Sequence, residues 1–126
     1  MTNPQLRQYN VAAASTDVFG RVMCSVRDHH FIIDGPVQNG CPGEEVTPPE
    51  QFLSAVAACG VELAEVIAKE QGKQIGSVAV SIYGELDRSK QKRADVTVLN
   101  EVRMTFTIGG TDAATATQLV EAFKRR

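Results

Sequence analysis

Cys59 sits in the middle of the run TPPEQFLSAVAACGVELAEVIAKEQ, residues 47–71, and any chemistry this chain performs is expected to begin at that sulfur. A thiol acts as nucleophile or redox centre only when ionised. With an ordinary pKa of about 8.5 only a few per cent is thiolate at neutral pH, so a cation or donor must stand beside it. On residue type alone, a cysteine among alanines and valines is more simply a small core residue. Glu62, three positions on, would raise the thiol pKa unless it is paired. Glu50 precedes Cys59 by nine positions, which at about 100° per residue puts the two on opposite sides of an ideal helix. The other cysteines offer less. Cys24 alternates with Val22 and Val26 and reads as core, while Cys41 lies in a Gly/Pro-rich loop and reaches Cys59 only if that loop folds over the helix. His29 and His30 are adjacent, so a strand would turn them to opposite faces; no metal and no cofactor is expected.

The elements that must carry these residues follow from periodicity and capping. Thr47 as N-cap, Pro48 at the first helical position and Glu50 three residues after the cap predict a helix start, and Gly72 predicts its stop. Phe52, Val56, Cys59, Leu63, Val66 and Ile67 recur at helical spacing, which places Cys59 on the apolar stripe. Ala55, Ala57, Ala58 and Gly60 leave room for a neighbour to approach closely. Upstream, a loose strand is predicted over 6–14, a turn over 15–20, a strand around Val22–Val26 and another over 30–34, followed by the loop GPVQNGCPGEEVT. Downstream, Val78, Val80 and Ile82 predict a strand, RSKQKRAD a solvated turn, and the alternation from Val96 to Ile108 one long strand. Thr111 or Asp112 caps a last helix with Ala116, Leu119, Val120 and Phe123 on its apolar side; the chain is expected to stop at Arg126 inside that helix.

Composition narrows the partners. A chain of 126 residues with 43% hydrophobic content fits a single domain that gains from dimerisation. A net charge of -2 supplies no basic field for nucleic acid, and no apolar run is expected to be long enough to cross a bilayer. The first ten residues lack the basic and apolar regions of a secretory signal, so the odd set of cysteines is expected as thiols in the cytoplasm.

SVRDHHFIIDGP, a Gly/Pro loop and TPPEQFLSAVAACGVELAEVIAKEQG together resemble the OsmC/Ohr family of thiol-dependent hydroperoxide reductases. The resemblance covers most of the chain and implies an α+β fold, antiparallel sheets around a long central helix, in an intertwined homodimer with sites at the subunit interface. It also implies a peroxidatic thiolate at Cys59 that attacks an organic hydroperoxide, activated by an arginine held by a glutamate. Arg27 is the first candidate for that arginine and Arg21 the second, with Glu50 as the acid; the capping box gives Glu50 a purely structural alternative. The family's peroxidases resolve the sulfenic acid with a second cysteine just beyond the last helix, a position this sequence does not reach. A longer parent protein, an external thiol or dithiol reductant, or a non-catalytic dimer that binds a ligand or serves in stress remain the alternatives. A hotdog-type thioesterase, which also wraps a sheet around one helix, is the reading reached without the family.

Overall fold

The computed structural model describes residues 3–126, in two compact units, one ending at Gln51 and the other running Phe52–Arg126. The chain is α+β, with two helices and two small antiparallel sheets.

In the first unit β1 (Val11–Ser15), β2 (Arg21–Val26) and β3 (His29–Asp34) form one sheet in that order, with Ala13, Cys24 and Phe31 level across it. The alternation around Cys24 reflects real burial: Cys24 is buried, as its apolar neighbours predict. β1 starts later than the expected strand over 6–14. Val26, the last residue of β2, pairs with Val11, and beyond it the turn at Arg27 and Asp28 offers the chain before Val11 no partner. Arg27 takes φ 54 there, the left-handed conformation a tight hairpin demands of one residue. The loop that follows is far from slack. Gly35 N–H donates to Gly20 O at 2.8 Å, a 3-10 turn spans Val37–Asn39, and Gly43 N–H donates back to Gly35 O at 3.1 Å.

Helix α1 (Pro48–Glu70) matches its predicted limits. Gly72, at φ 65, closes it: the N–H groups of Gly72 and Lys73 donate to the carbonyls of Lys69 and Ala68 at 3.2 and 2.8 Å, the Schellman pattern. By length and composition α1 is apolar enough to span a bilayer, so the expectation that no such run exists is corrected. Part of its apolar character serves the protein interior, since Gly60, Ala64, Ile67 and Ala68 are buried.

In the second unit β4 (Val78–Glu85) pairs antiparallel with β5 (Glu101–Ile108) from Val78 opposite Ile108 to Glu85 opposite Glu101. Residues alternate along β4 and from Arg103 onward in β5: Val80, Ile82, Met104 and Phe106 are half-buried, while Ser81, Tyr83, Arg103 and Thr105 are exposed. β5 is shorter than the long strand expected from Val96. Both backbone groups of Val98 are taken by the Gln91 side chain, whose Oε1 accepts at 2.8 Å and whose Nε2 donates at 3.0 Å, so the valine alternation continues through a loop. Helix α2 (Ala113–Lys124) is capped by Asp112, which accepts from Thr115 N–H at 2.7 Å. It ends at Lys124, with Arg125 as C-cap, two residues before the expected run to Arg126. Ile67, Ala68 and Leu119 form the buried core, ringed by Leu63, Ile75, Ile108 and Ala122. Phe106 and Phe123 pack with ring centroids 5.3 Å apart.

Candidate functional site

Ile67 and Leu63 of the predicted apolar stripe do pack in the core, but the closest approach of α1 to the sheet lies one step round from that stripe. A Cβ built on Gly60 would stand 3.1 Å from Met104 Cε and from Phe106 Cζ, and one on Gly84 2.7 Å from Leu53 Cδ1, so glycines mark where helix and sheet approach. The packed stripe therefore runs through Leu53, Gly60, Ala64, Ile67 and Ala68. Cys59, about 100° away, is exposed, and Phe52 on the same side is 61% exposed. Apolar periodicity missed this because Gly60 and Ala64, the residues in closest contact, carry almost no hydrophobic signal. The correction favours chemistry over packing: the sulfur is reachable, and Phe52, Ala55 and Val66 lie at helical spacing around it.

Glu50 occupies the first turn of α1. Its carboxylate accepts from Thr47 N–H at 3.0 Å and from the Thr47 hydroxyl at 2.7 Å. The Thr47 amide and then its hydroxyl hold the Glu50 carboxyl below the usual carboxylate range, keeping a negative charge at the positive end of the helix. Nine rises along an α-helix are about 14 Å, so α1 itself does not bring Glu50 to Cys59. Arg27 sits in the β2–β3 turn and belongs to the first unit, Cys59 to the second. Among the described residues the Arg27 guanidinium has no ion-pair partner.

Arg21 is committed elsewhere. Its Nε and one terminal nitrogen donate to the two carboxylate oxygens of Asp34 at 2.8 and 2.9 Å, and the same terminal nitrogen reaches Glu44 Oε1 at 3.4 Å. Asp34 is fully buried and accepts two further bonds, from Glu44 N–H at 3.1 Å and Glu45 N–H at 2.9 Å. Sequence reasoning did not single out Asp34. Its signal was an acid closing the apolar run HFII, level across the hairpin with Arg21.

Cys41 lies against Gly20 and Gly35, its sulfur 2.4 and 2.5 Å from where a Cβ would stand on each, which fixes it within the first unit. His30 Nδ1 pairs with Ser25 Oγ at 2.8 Å. Among the described residues no group of three or more His, Cys, Asp or Glu converges as a metal site would require. In the second unit a cleft of about 350 Å³ opens between β5 and α2, lined by Met104, Phe106, Ile108, Ala116, Thr117 and Val120.

Comparison with known proteins adds the following. The family model for OsmC-like protein matches residues 41–126. An OsmC-like protein from Mycoplasma pneumoniae superposes with TM-score 0.78 at 15% identity, over 95% of this chain and 82% of that one. An organic hydroperoxide resistance protein from Elizabethkingia anophelis gives 0.77 at 16% identity, over 98% of this chain and 85% of that one. One from Legionella pneumophila gives 0.76 at 19%, over 95% and 84%. At these identities the likeness is one of fold. Among curated proteins no match was found.

Proposed function

The chain belongs to the OsmC-like family, and from this we propose that it reduces organic hydroperoxides through Cys59. The observation that carries the reading is an exposed cysteine in the middle of an apolar helix, flanked by Phe52, Ala55 and Val66 rather than walled in. The Cys59 thiolate attacks the terminal peroxide oxygen; the S–O bond forms as the O–O bond breaks, sulfur is oxidised to sulfenic acid, and the alkoxide leaves and takes a proton as alcohol. An external dithiol then attacks the sulfenic sulfur, water leaves, and its second thiol displaces Cys59 as the dithiol closes to a disulfide.

Arg27 supplies the cation that stabilises the thiolate, and Glu50 orients it, in a homodimer in the cytoplasm. Two features support these roles: the Arg27 guanidinium is uncommitted among the described residues, and the Glu50 carboxylate is held ionised. The single-domain organisation belongs to the same proposal. The structurally similar Elizabethkingia and Legionella proteins are organic hydroperoxide resistance proteins, which favours this class of substrate.

The decisive experiment incubates the protein with cumene hydroperoxide and dimedone, then maps the adduct by mass spectrometry. The expected result is dimedone on Cys59 and dithiol-dependent peroxide consumption that Cys59→Ser abolishes. Consumption unchanged in that variant, or no adduct at Cys59, overturns the proposal. A second reading is a protein that binds a ligand in the β5–α2 cleft without chemistry; Thr105, Thr117 and Glu121 line that cleft beside its apolar residues. Saturable binding of a fluorescent fatty acid together with an inert Cys59 is the outcome expected of it.

A further inference from the structure

We propose that Asp34 and Arg21 are positioning residues: a buried clamp that holds the chain leading into α1 and, through it, the Glu50 carboxylate. The clamp binds three consecutive residues before the helix. Asp34 takes the N–H groups of Glu44 and Glu45 on its carboxylate, and its own backbone N–H donates to Val46 O at 3.1 Å. The next residue is the N-cap Thr47, whose N–H and hydroxyl both go to Glu50. The path from Asp34 to Glu50 thus runs through these hydrogen bonds and the single peptide link from Val46 to Thr47.

Apolar packing alone would bury this strand end at less cost, because taking a charge out of water is repaid only when every lone pair is met in good geometry. Here four donors serve the buried carboxylate: Oδ1 accepts from Arg21 Nε, and Oδ2 accepts from the Arg21 terminal nitrogen and from the two amides. Such an arrangement specifies direction, which a methyl group does not. It also occupies Arg21, leaving Arg27 as the uncommitted arginine of the β2–β3 hairpin.

The link to Cys59 rests on the proposed peroxidase reading; the clamp itself does not. The test follows full-length wild type, Asp34→Asn and Arg21→Lys by peptide-level amide hydrogen exchange and by the pH dependence of Cys59 alkylation. Arg21→Lys keeps the charge but loses the fork, so it reports even if Asp34→Asn fails to fold. Expected is exchange over residues 43–51 faster by at least tenfold, with β5 unchanged, and an alkylation midpoint for Cys59 that moves up in pH. Unchanged exchange over 43–51, or an equal increase everywhere, overturns the clamp. Faster local exchange with an unmoved midpoint, in a protein whose wild-type midpoint is depressed, overturns the positioning role and leaves a structural brace. A wild-type midpoint near the free-thiol value of about 8.5 defeats the peroxidase reading instead, and exchange still decides the clamp.

Discussion

Asp34 is the one buried charged residue among those described, and its acid-base behaviour contributes to the chain's response to pH. The Arg21 guanidinium, against the opposing effect of burial and with help from the Glu45 and Glu44 amides, holds its carboxyl well below the usual carboxylate range. The folded value lies under the unfolded one of about 3.9, so the stabilisation is complete above that pH and disappears as pH falls through the folded value. Urea midpoints are therefore expected to be level from pH 7 to pH 5 and to fall below about pH 4, with a shallower acid limb in Asp34→Asn. A loss centred near pH 6 contradicts this. At the helix start, Thr47→Ala removes the cap and a partner of Glu50 together, and a loss of about 1 kcal/mol is expected in the same urea assay. The Thr47–Glu50 pairing was legible from its spacing. The Arg21–Asp34 pair was not, because thirteen residues separate its members and only the hairpin register brings them level.

At the scale of elements, the limits of α1 were legible because Thr47, Pro48, Glu50 and Gly72 each have a local physical reason to stand there. Its packed face was not, since contact depends on what is missing from Gly60. Gly60→Leu is expected to destabilise by about 1–3 kcal/mol, as Met104 and Phe106 cannot both withdraw. Gly60→Ala gains about 1 kcal/mol of helix propensity against a contact 3.1 Å away, and is expected to be close to neutral in thermal melts. The valines from Val96 misled for the opposite reason: period two persists where the backbone is already bonded to a side chain. Gln91 serves Asp87 O, Val98 and Asn100 at once, so Gln91→Ala is expected to raise proteolytic cleavage within residues 86–100 while leaving the β4–β5 register intact. Equal cleavage rates in variant and wild type would count against that role.

For the whole molecule, the exposed apolar residues are the notable quantity. Leu6, Tyr9, Phe19 and Phe52 are all at least 60% exposed. The proposed homodimer covers such surface, and light scattering is expected to give twice 13.6 kDa; a monomer at micromolar concentration contradicts it. The order of elements was legible throughout, from three strands to long helix, hairpin and closing helix.

The hairpin loop offers a practical opening. Asn100 N–H meets Glu85 O at 2.7 Å, so the segment leaves and rejoins the sheet at one place. An epitope or fluorophore-bearing peptide spliced between those two residues inherits a ready-made stem, closed by the same backbone bond.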